Sequence, residues 1–82
     1  MKVHYAKSAL KFLAKLDKKS VGRIRAAIEG LTRIPPEGDI KALKGYEDGS
    51  MRLRVGTWRI IYQADCDDLY VIDIGNRGDI YK

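Results

Sequence analysis

Arginines in the C-terminal half are the residues of this chain best suited to chemistry. Arg52, Arg54 and Arg59 all fall within residues 51–62, whose sequence is Met-Arg-Leu-Arg-Val-Gly-Thr-Trp-Arg-Ile-Ile-Tyr. A guanidinium group stays charged at any working pH, and its planar array of donors suits phosphate oxygens. The pattern therefore favours contacts with phosphate groups.

Common catalytic arrangements that depend on histidine, cysteine or metal are not expected. His4 is the only histidine and Cys66 the only cysteine, whereas zinc sites need several such ligands at short spacing. The chain has no Walker loop, and a lone histidine in an opening strand does not complete a Ser/His/Asp set. We expect neither a metal ion nor a cofactor.

A β-hairpin is predicted to position the three arginines. Apolar residues alternate with arginines in its first strand: Met51, Leu53 and Val55 alternate with Arg52 and Arg54. A side-chain period of two sends these sets to opposite faces, which leaves the basic face open. Gly56-Thr57 suits a type II′ turn, so Trp58–Tyr62 should return antiparallel and bring Arg59 beside the other arginines. Trp58 and Tyr62 share the parity of Ile60 and are expected in the core, the alternative being that their rings stack on unpaired bases.

Two amphipathic helices are predicted in the N-terminal half, after a short strand at Lys2–Tyr5. Ser8 is the expected cap of the first helix, with an apolar stripe of Ala9, Leu10, Leu13 and Leu16. Ser20 is the expected cap of a second helix that runs to about Ile34, before Pro35-Pro36. A row of lysines follows the first helix, consisting of Lys7, Lys11, Lys15 and Lys18. It is either a solvated face or a docking surface for a large RNA.

The remaining segments predict strands. Ile40–Lys44 suggests a short edge strand, and Leu69–Ile74 is apolar enough to be a buried strand, with Asp73 as its one charge. A buried carboxylate needs a partner, so Asp73 should contact Arg59 or Arg77. The order predicts one α+β domain over residues 1–82: a strand, a two-helix hairpin, then a three- to four-stranded, mostly antiparallel sheet with the helices on one face.

Composition narrows the class of partner. The net charge is +5, the sequence pI is about 9.5 and 45% of residues are hydrophobic, which favours a folded protein that binds a polyanion or an acidic protein. No apolar run approaches the roughly 20 residues of a membrane span, and the N-terminus does not resemble a signal peptide. We expect a cytoplasmic protein without membrane contacts.

Two C-terminal motifs carry a family resemblance. The segment 52–62 (Arg-Leu-Arg-Val-Gly-Thr-Trp-Arg-Ile-Ile-Tyr) and the segment 74–82 (Ile-Gly-Asn-Arg-Gly-Asp-Ile-Tyr-Lys) together resemble the RelE toxins of bacterial and archaeal toxin–antitoxin systems. The triplet Leu43-Lys44-Gly45 after a proline turn also fits. The resemblance runs essentially end to end and places the chain in the wider RelE/ParE superfamily.

The resemblance implies an endoribonuclease that cuts messenger RNA in the ribosomal A site through attack by a ribose 2′-hydroxyl. It assigns catalytic roles to Arg59, Arg77, Tyr81 and Arg52, and RNA contacts to Arg54, Lys41 and Lys44. Its implied partners are a cognate antitoxin, the ribosome with its mRNA, and operator DNA only through the antitoxin complex.

This chain departs from some relatives at Ser50 and Met51, where they have a lysine or a tyrosine, so proton-transfer roles at those positions do not carry over. Arginine neither gives nor takes a proton near neutrality, which leaves Tyr81 as the better proton-transfer candidate. Two alternatives stay open: a ParE-like poison of DNA gyrase, and an inactive module that binds antitoxin and regulates an operator.

Overall fold

The computed structural model describes residues 2–33, 35–42 and 49–76. Two helices and five strands lie within these ranges. In chain order they are β1 (Lys2–Tyr5), α1 (Lys7–Ala14), α2 (Lys18–Gly30), β2 (Asp39–Ala42), β3 (Met51–Val55), β4 (Trp58–Ala64) and β5 (Asp68–Asn76). This order confirms the predicted α+β class and the predicted helical hairpin before the sheet.

The five strands form one sheet in the order β1-β5-β4-β3-β2. β1 pairs with β5 in parallel, and the other neighbours are antiparallel. The opening strand therefore adds a fifth, parallel edge strand to the predicted antiparallel sheet. β5 is buried between β1 and β4, and β4 is the central strand.

Both helices cover one face of the sheet, where the core lies. Ala9 of α1 and Ile24 and Ile28 of α2 are buried in one cluster with residues of β3, β4 and β5. Those strand residues are Leu53, Ile60, Tyr62, Leu69, Val71 and Ile74. Trp58 packs against the same cluster and lies beneath the guanidinium of Arg23, 5.7 Å from its ring centroid. The predicted core positions of Trp58 and Tyr62 are thus confirmed.

The predicted hairpin turn between β3 and β4 is also confirmed. Gly56 has a φ of 59°, and Thr57 has a negative φ. A positive φ at the first central position alone is the signature of a type II′ turn. The turn sets a register in which Arg54 lies opposite Arg59 and Leu53 opposite Ile60.

The predicted helix caps were wrong. Ser8 lies inside α1, whose N-cap is Ala6, and its hydroxyl donates instead to the carbonyl of Ile72 at 2.9 Å. Asp17, not Ser20, caps α2: its carboxylate accepts from the backbone N–H of Ser20 at 3.1 Å. A carboxylate reaches the free amides of a first turn as well as a hydroxyl does, and the Ser20 hydroxyl donates to the same carboxylate.

The end of α2 comes earlier than predicted, at Gly30. The amides of Leu31, Thr32 and Arg33 bond to carbonyls three residues back, so the chain tightens into a final turn before Pro35. Neither helix in the described ranges is both long enough and apolar enough to cross a membrane. The triplet at 43–45 and the C-terminal segment 77–82 lie outside the described residues.

Candidate functional site

A cluster of basic side chains lies on the sheet face that points away from the helices. Its members are Lys41 on β2, Arg52 and Arg54 on β3, and Arg59 on β4. Their strand neighbours Ile40, Leu53 and Ile60 belong to the core cluster, so the period of two turns the basic residues outward. Lys41 pairs with Arg52 and Arg54 pairs with Arg59 in the sheet register. We call these four residues the basic face.

Arg54 and Arg59 are directly opposed across β3 and β4. Opposed residues hold their Cβ atoms about 4.5–5.5 Å apart, and like charges in that arrangement repel. On the other side of Arg59 the register partner is Gly75, which contributes no side chain. Both arginines are half-buried, and the Nε atom of Arg59 is shielded from solvent. The two side chains thus present neighbouring positive charges on this face.

The position of Arg59 is fixed by its neighbours in β4. Trp58 precedes it and packs on the core under Arg23, and Ile60 follows it with no exposed surface. Trp58 and Ile60, packed on the opposite face, hold the backbone of β4 and so fix the point from which the Arg59 side chain leaves the sheet. Preorganised charge of this kind is what stabilises a developing anion at low cost in reorganisation.

Arg52 differs from the expected open position. Its residue is 6% exposed, and its Nη2 lies 3.6 Å from Oδ1 of Asp39. Strand alternation gives the face on which a side chain lies, but not what else covers that face, so the sequence could not show this burial. The predicted catalytic role of Arg52 stays a prediction, and the geometry is that of a held, paired cation.

Asp73, whose expected contact with Arg59 stays a prediction, is not the register partner of Arg59. It lies opposite Ile61, and its Oδ1 accepts from the amide of the next residue, Ile74, at 3.0 Å. Arg59 is displaced from it by two residues along β4, which makes the two diagonal rather than opposed. The other expected partner, Arg77, is outside the described part of the chain.

Comparison with known proteins places this fold in a family. Residues 3–81 match the family model described as ParE toxin of type II toxin-antitoxin system, parDE. The chain belongs to this toxin family. It is thus a toxin of a type II toxin–antitoxin system within the RelE/ParE superfamily. Comparison with curated proteins gives no significant match.

Solved structures agree with this assignment. The toxin is 26% identical to a chain in the archaeal RelE–RelB complex from Pyrococcus horikoshii OT3, with a TM-score of 0.76 and coverage of 95% of this chain and 96% of that one. It is 28% identical to a chain in the RelB–RelE complex from Methanococcus jannaschii, with a TM-score of 0.75 and coverage of 95% and 94%. YafQ from Escherichia coli BL21(DE3) shares the fold at a TM-score of 0.80 and 15% identity, with coverage of 99% and 98%.

Three of the predicted site residues of the toxin lie outside the described ranges. These are Lys44, Arg77 and Tyr81. Arg77 is the residue that follows Asn76, and Asn76 pairs with Trp58 beside Arg59 in the sheet register. The structure therefore brings together Lys41, Arg52, Arg54 and Arg59. The roles of all seven predicted residues stay predictions.

A second polar group on the same sheet face was not singled out as a site from the sequence. His4 Nε2 lies 2.9 Å from Oδ1 of Asp68, and the rings of His4 and Tyr70 stack with centroids 4.9 Å apart and planes 16° apart. Asp68, burial and Asp65 together raise the pKa of the Tyr70 hydroxyl. Parity in β1 and β5 could have shown that His4 and Tyr70 share a face, but not that these strands are neighbours.

The acidic turn beside this pair is organised by one carboxylate. Asp65 Oδ1 accepts from the amides of Asp67 and Asp68 at 2.9 and 2.7 Å, which lowers the pKa of Asp65. Within the described ranges, no three His, Cys, Asp or Glu side chains converge so as to hold a metal ion. The acidic turn and the basic face lie at different parts of the sheet. Negative and positive charge are therefore separated along one face of the toxin.

Proposed function

We propose that this toxin is a cytoplasmic, ribosome-dependent mRNA endoribonuclease. It cleaves mRNA in the ribosomal A site and is neutralised by a cognate antitoxin. The observation that carries the proposal is the opposed pair of Arg54 and Arg59 on the sheet face that points away from the helices, with Arg52 beside them. Arg59 can stabilise the reacting phosphodiester while Arg54 contacts an adjacent phosphate of the same strand. The RelE–RelB complexes among similar structures support an antitoxin partner.

The reaction is an intramolecular displacement at phosphorus. The ribose 2′-oxygen forms a bond to the adjacent phosphorus while the bond to the 5′-oxygen breaks, which leaves a 2′,3′-cyclic phosphate and a free 5′-hydroxyl. One proton leaves the 2′-hydroxyl and one is delivered to the departing oxygen. Arg59 stabilises the extra negative charge on the phosphorane, and Arg54 and Lys41 hold neighbouring phosphates.

The proton transfers need groups other than arginine, because a guanidinium does not release its proton near neutrality. Tyr81, which the resemblance places among the site residues with Arg77, is the better candidate for proton transfer because its hydroxyl can exchange a proton, and the general base and acid stay open. The ribosome contributes alignment, and correct placement of reacting groups supplies as much as roughly 7–11 kcal/mol of a barrier. Dependence on translation follows, since free RNA would lack that alignment.

The test is cleavage in a translating extract with one defined mRNA. Wild-type protein should give cuts in register with codons, with cyclic phosphate ends, and Arg59→Ala should reduce the cutting rate by about 10²–10³ because a fixed donor to the transition state is lost. Arg33→Ala is the matched control: its side chain is 68% exposed on the helical side, and its removal takes away the same charge. Intact mRNA and unimpeded translation with wild-type protein would sink the proposal.

A second candidate is inhibition of DNA gyrase, because the matching family model is described as the ParE toxin of parDE systems. The discriminating measurement is supercoiling of relaxed plasmid by purified gyrase with ATP, in the presence of this protein. A nuclease of the proposed kind leaves supercoiling unchanged. If supercoiling is lost while mRNA stays intact, the protein is a gyrase poison and not a nuclease.

A further inference from the structure

Two stacked rings lie on the same side of the sheet as the basic face, but toward the other end of its strands. Tyr70 is 42% exposed, and its ring centroid lies 4.9 Å from that of His4 with the ring planes 16° apart. Tyr70 is the register partner of His4 on β1 and of Gln63 on β4. Gln63 continues the line by donating to the hydroxyl of Ser50 at 3.2 Å. We call these four residues the outer row.

The ring pair of the outer row is held by its neighbours in the sheet. Leu69 and Val71, on either side of Tyr70 in the chain, are buried in the core and fix the backbone of β5. His4 Nε2 lies 2.9 Å from Oδ1 of Asp68, which restrains the imidazole against the Tyr70 ring. A ring that is already in position loses little conformational freedom when a flat ligand stacks on it. The pair is thus a preorganised, solvent-exposed aromatic surface.

The sheet register sets the distance between the outer row and the basic face. Arg59 and Gln63 are four residues apart on one face of β4, which corresponds to about 14 Å along the strand. Arg54 lies opposite Arg59, and Tyr70 lies opposite Gln63. The side chain between the two positions on β4 is that of Ile61, which is 5% exposed. A single nucleic-acid strand of a few residues is long enough to reach from the arginines to the ring pair.

Charge changes sign along this path. The basic face lies at one end, and the acidic turn with Asp65, Asp67 and Asp68 lies beyond the ring pair at the other. A phosphate is attracted to the arginines and repelled by the acidic turn, whereas a base is uncharged and stacks on an aromatic ring through its π-face. The basic face therefore suits phosphates, and the outer row suits a base at the point where the strand turns away from the protein.

We propose that the ring pair of His4 and Tyr70 is a stacking site for an unpaired base of the RNA strand whose phosphates contact Arg54 and Arg59. The inference rests on the proposed function, since it takes single-stranded RNA as the substrate. Unpaired bases splayed onto aromatic side chains are a common mode of RNA recognition. A purine offers a larger ring surface than a pyrimidine, so the site favours a purine. Tyr70 binds substrate here and takes no part in bond breaking.

The probes are oligonucleotides of increasing length, up to about six residues, with the fluorescent base 2-aminopurine at the 5′ or the 3′ end. They carry 2′-fluororibose so that no 2′-hydroxyl can attack. Stacking quenches 2-aminopurine, so wild-type protein should quench one of the two series saturably. Tyr70→Ala should abolish the quenching and weaken the longest probe by about 5- to 100-fold, whereas Tyr70→Phe should retain both because the ring is kept. Arg54→Gln should weaken only the probes long enough to reach the basic face.

Leu10→Ala is the matched control, because it removes an apolar side chain that is 52% exposed on the helical side. It should bind and quench as wild type does, and thermal unfolding checks that every variant folds. Quenching that persists in Tyr70→Ala, or that is lost equally in Tyr70→Phe, would overturn the stacking site.

Cleavage of mRNA in a translating extract separates this inference from the proposed function. Cuts in register with codons, together with quenching that Tyr70→Ala does not reduce, would overturn the stacking site and leave the nuclease in place. Intact mRNA, together with quenching that depends on Tyr70, would support the stacking site on a face that binds RNA without cutting it. If both hold, Tyr70→Ala should raise KM for cleavage and leave kcat nearly unchanged, because the ring contacts a base remote from the reacting phosphorus.

Discussion

At the scale of single residues, Arg52 and Asp39 form an unequal pair. Arg52 has a side chain only 7% exposed, whereas that of Asp39 is 55% exposed, and their charged atoms are 3.6 Å apart. An ion pair with one exposed partner contributes about 1 kcal/mol at most. The packing of the buried arginine stem contributes more, because long charged side chains cover apolar surface with their methylenes.

This difference in exposure between Arg52 and Asp39 predicts which substitution destabilises the protein more. Arg52→Ala should lower the free energy of unfolding by about 1–3 kcal/mol, whereas Asp39→Asn should cost less than about 1 kcal/mol. Arg52→Met keeps most of the stem and should recover a large part of the loss. Urea unfolding followed by circular dichroism measures all three. If Asp39→Asn costs as much as Arg52→Ala, the ion pair and not the packing holds Arg52.

The Asp65 turn makes a prediction about pH. Two backbone amides donate to this carboxylate in the folded state and lower the pKa of Asp65 below its ordinary value of 3.8. A carboxyl group whose pKa is lower folded than unfolded contributes stability above its unfolded pKa and loses it as the pH falls through the folded one. Carboxyl NMR titration should therefore give Asp65 a midpoint below 3.8.

Removal of that carboxylate gives the stability test. Asp65→Ala should unfold at a lower temperature than wild type at pH 7, and this difference in unfolding temperature should narrow below the unfolded pKa and close as the pH falls through the folded pKa. Asp67→Ala is the matched control, since the two amides donate to the carboxylate of Asp65 and not to that of Asp67. An unchanged gap between pH 7 and pH 2 would contradict the assignment of the effect to the ionised carboxylate.

At the scale of elements, two glycines should respond to alanine in opposite ways. Gly22 lies in the interior of α2 with open space above it, so Gly22→Ala should raise the free energy of unfolding by about 0.5–1 kcal/mol. Gly38 has a φ of 132°, and a Cβ there would lie 2.6 Å from the Leu53 side chain. Gly38→Ala should cost about 1–3 kcal/mol because Leu53 is buried and cannot move away freely. Urea midpoints that shift in the same direction would refute this contrast.

The elements also show how far the sequence could predict the fold. Alternation in residues 51–62 correctly gave both faces of the hairpin, because one buried face fixes strand register. The predictions that Ser8 and Ser20 cap the two helices were wrong. A helix boundary depends on a contact made by only one or two residues, and several polar side chains can make that contact. The parallel pairing of β1 with β5 was missed because it joins residues more than sixty apart, and no local pattern encodes it.

The site was predictable to a similar degree. Residue type and parity gathered Lys41, Arg52, Arg54 and Arg59 on one face, because both are local properties. The burial of Arg52 and the exposure of Leu10 were not predictable, since each depends on how distant elements cover a surface. Charge placement was predictable in part: the lysine row was visible in the sequence, but the contact of Arg52 with Asp39 was not.

At the scale of the whole molecule, positive charge is divided between two sides of the sheet. The basic face holds four described cations beside Asp39 and Asp73, whereas residues 7–33 hold a net +6 on the helical side. Long-range attraction to a polyanion follows the summed charge. Non-specific binding of RNA should therefore be dominated by the helices, and specific cleavage by the opposite face.

This division can be measured as a salt dependence. The logarithm of the RNA affinity falls with the logarithm of salt concentration by about 0.7 for each phosphate contact on a single strand. Changing Lys7, Lys11, Lys15 and Lys18 together to Gln should therefore flatten the slope by as much as about 2.8, measured by anisotropy on a labelled single-stranded RNA. All four side chains are exposed, so the fold should tolerate the change.

A control separates local contact from net charge. Glu37→Gln with Asp67→Asn raises the net charge by two without adding a cation at any phosphate, so the slope should stay that of wild type even if the affinity rises. Arg54→Gln should flatten the slope by no more than about 0.7, the value of one contact. If Arg54→Gln alone flattened the slope as much as the four lysine changes, RNA would be held by the basic face, and the helical charge would be left for protein partners.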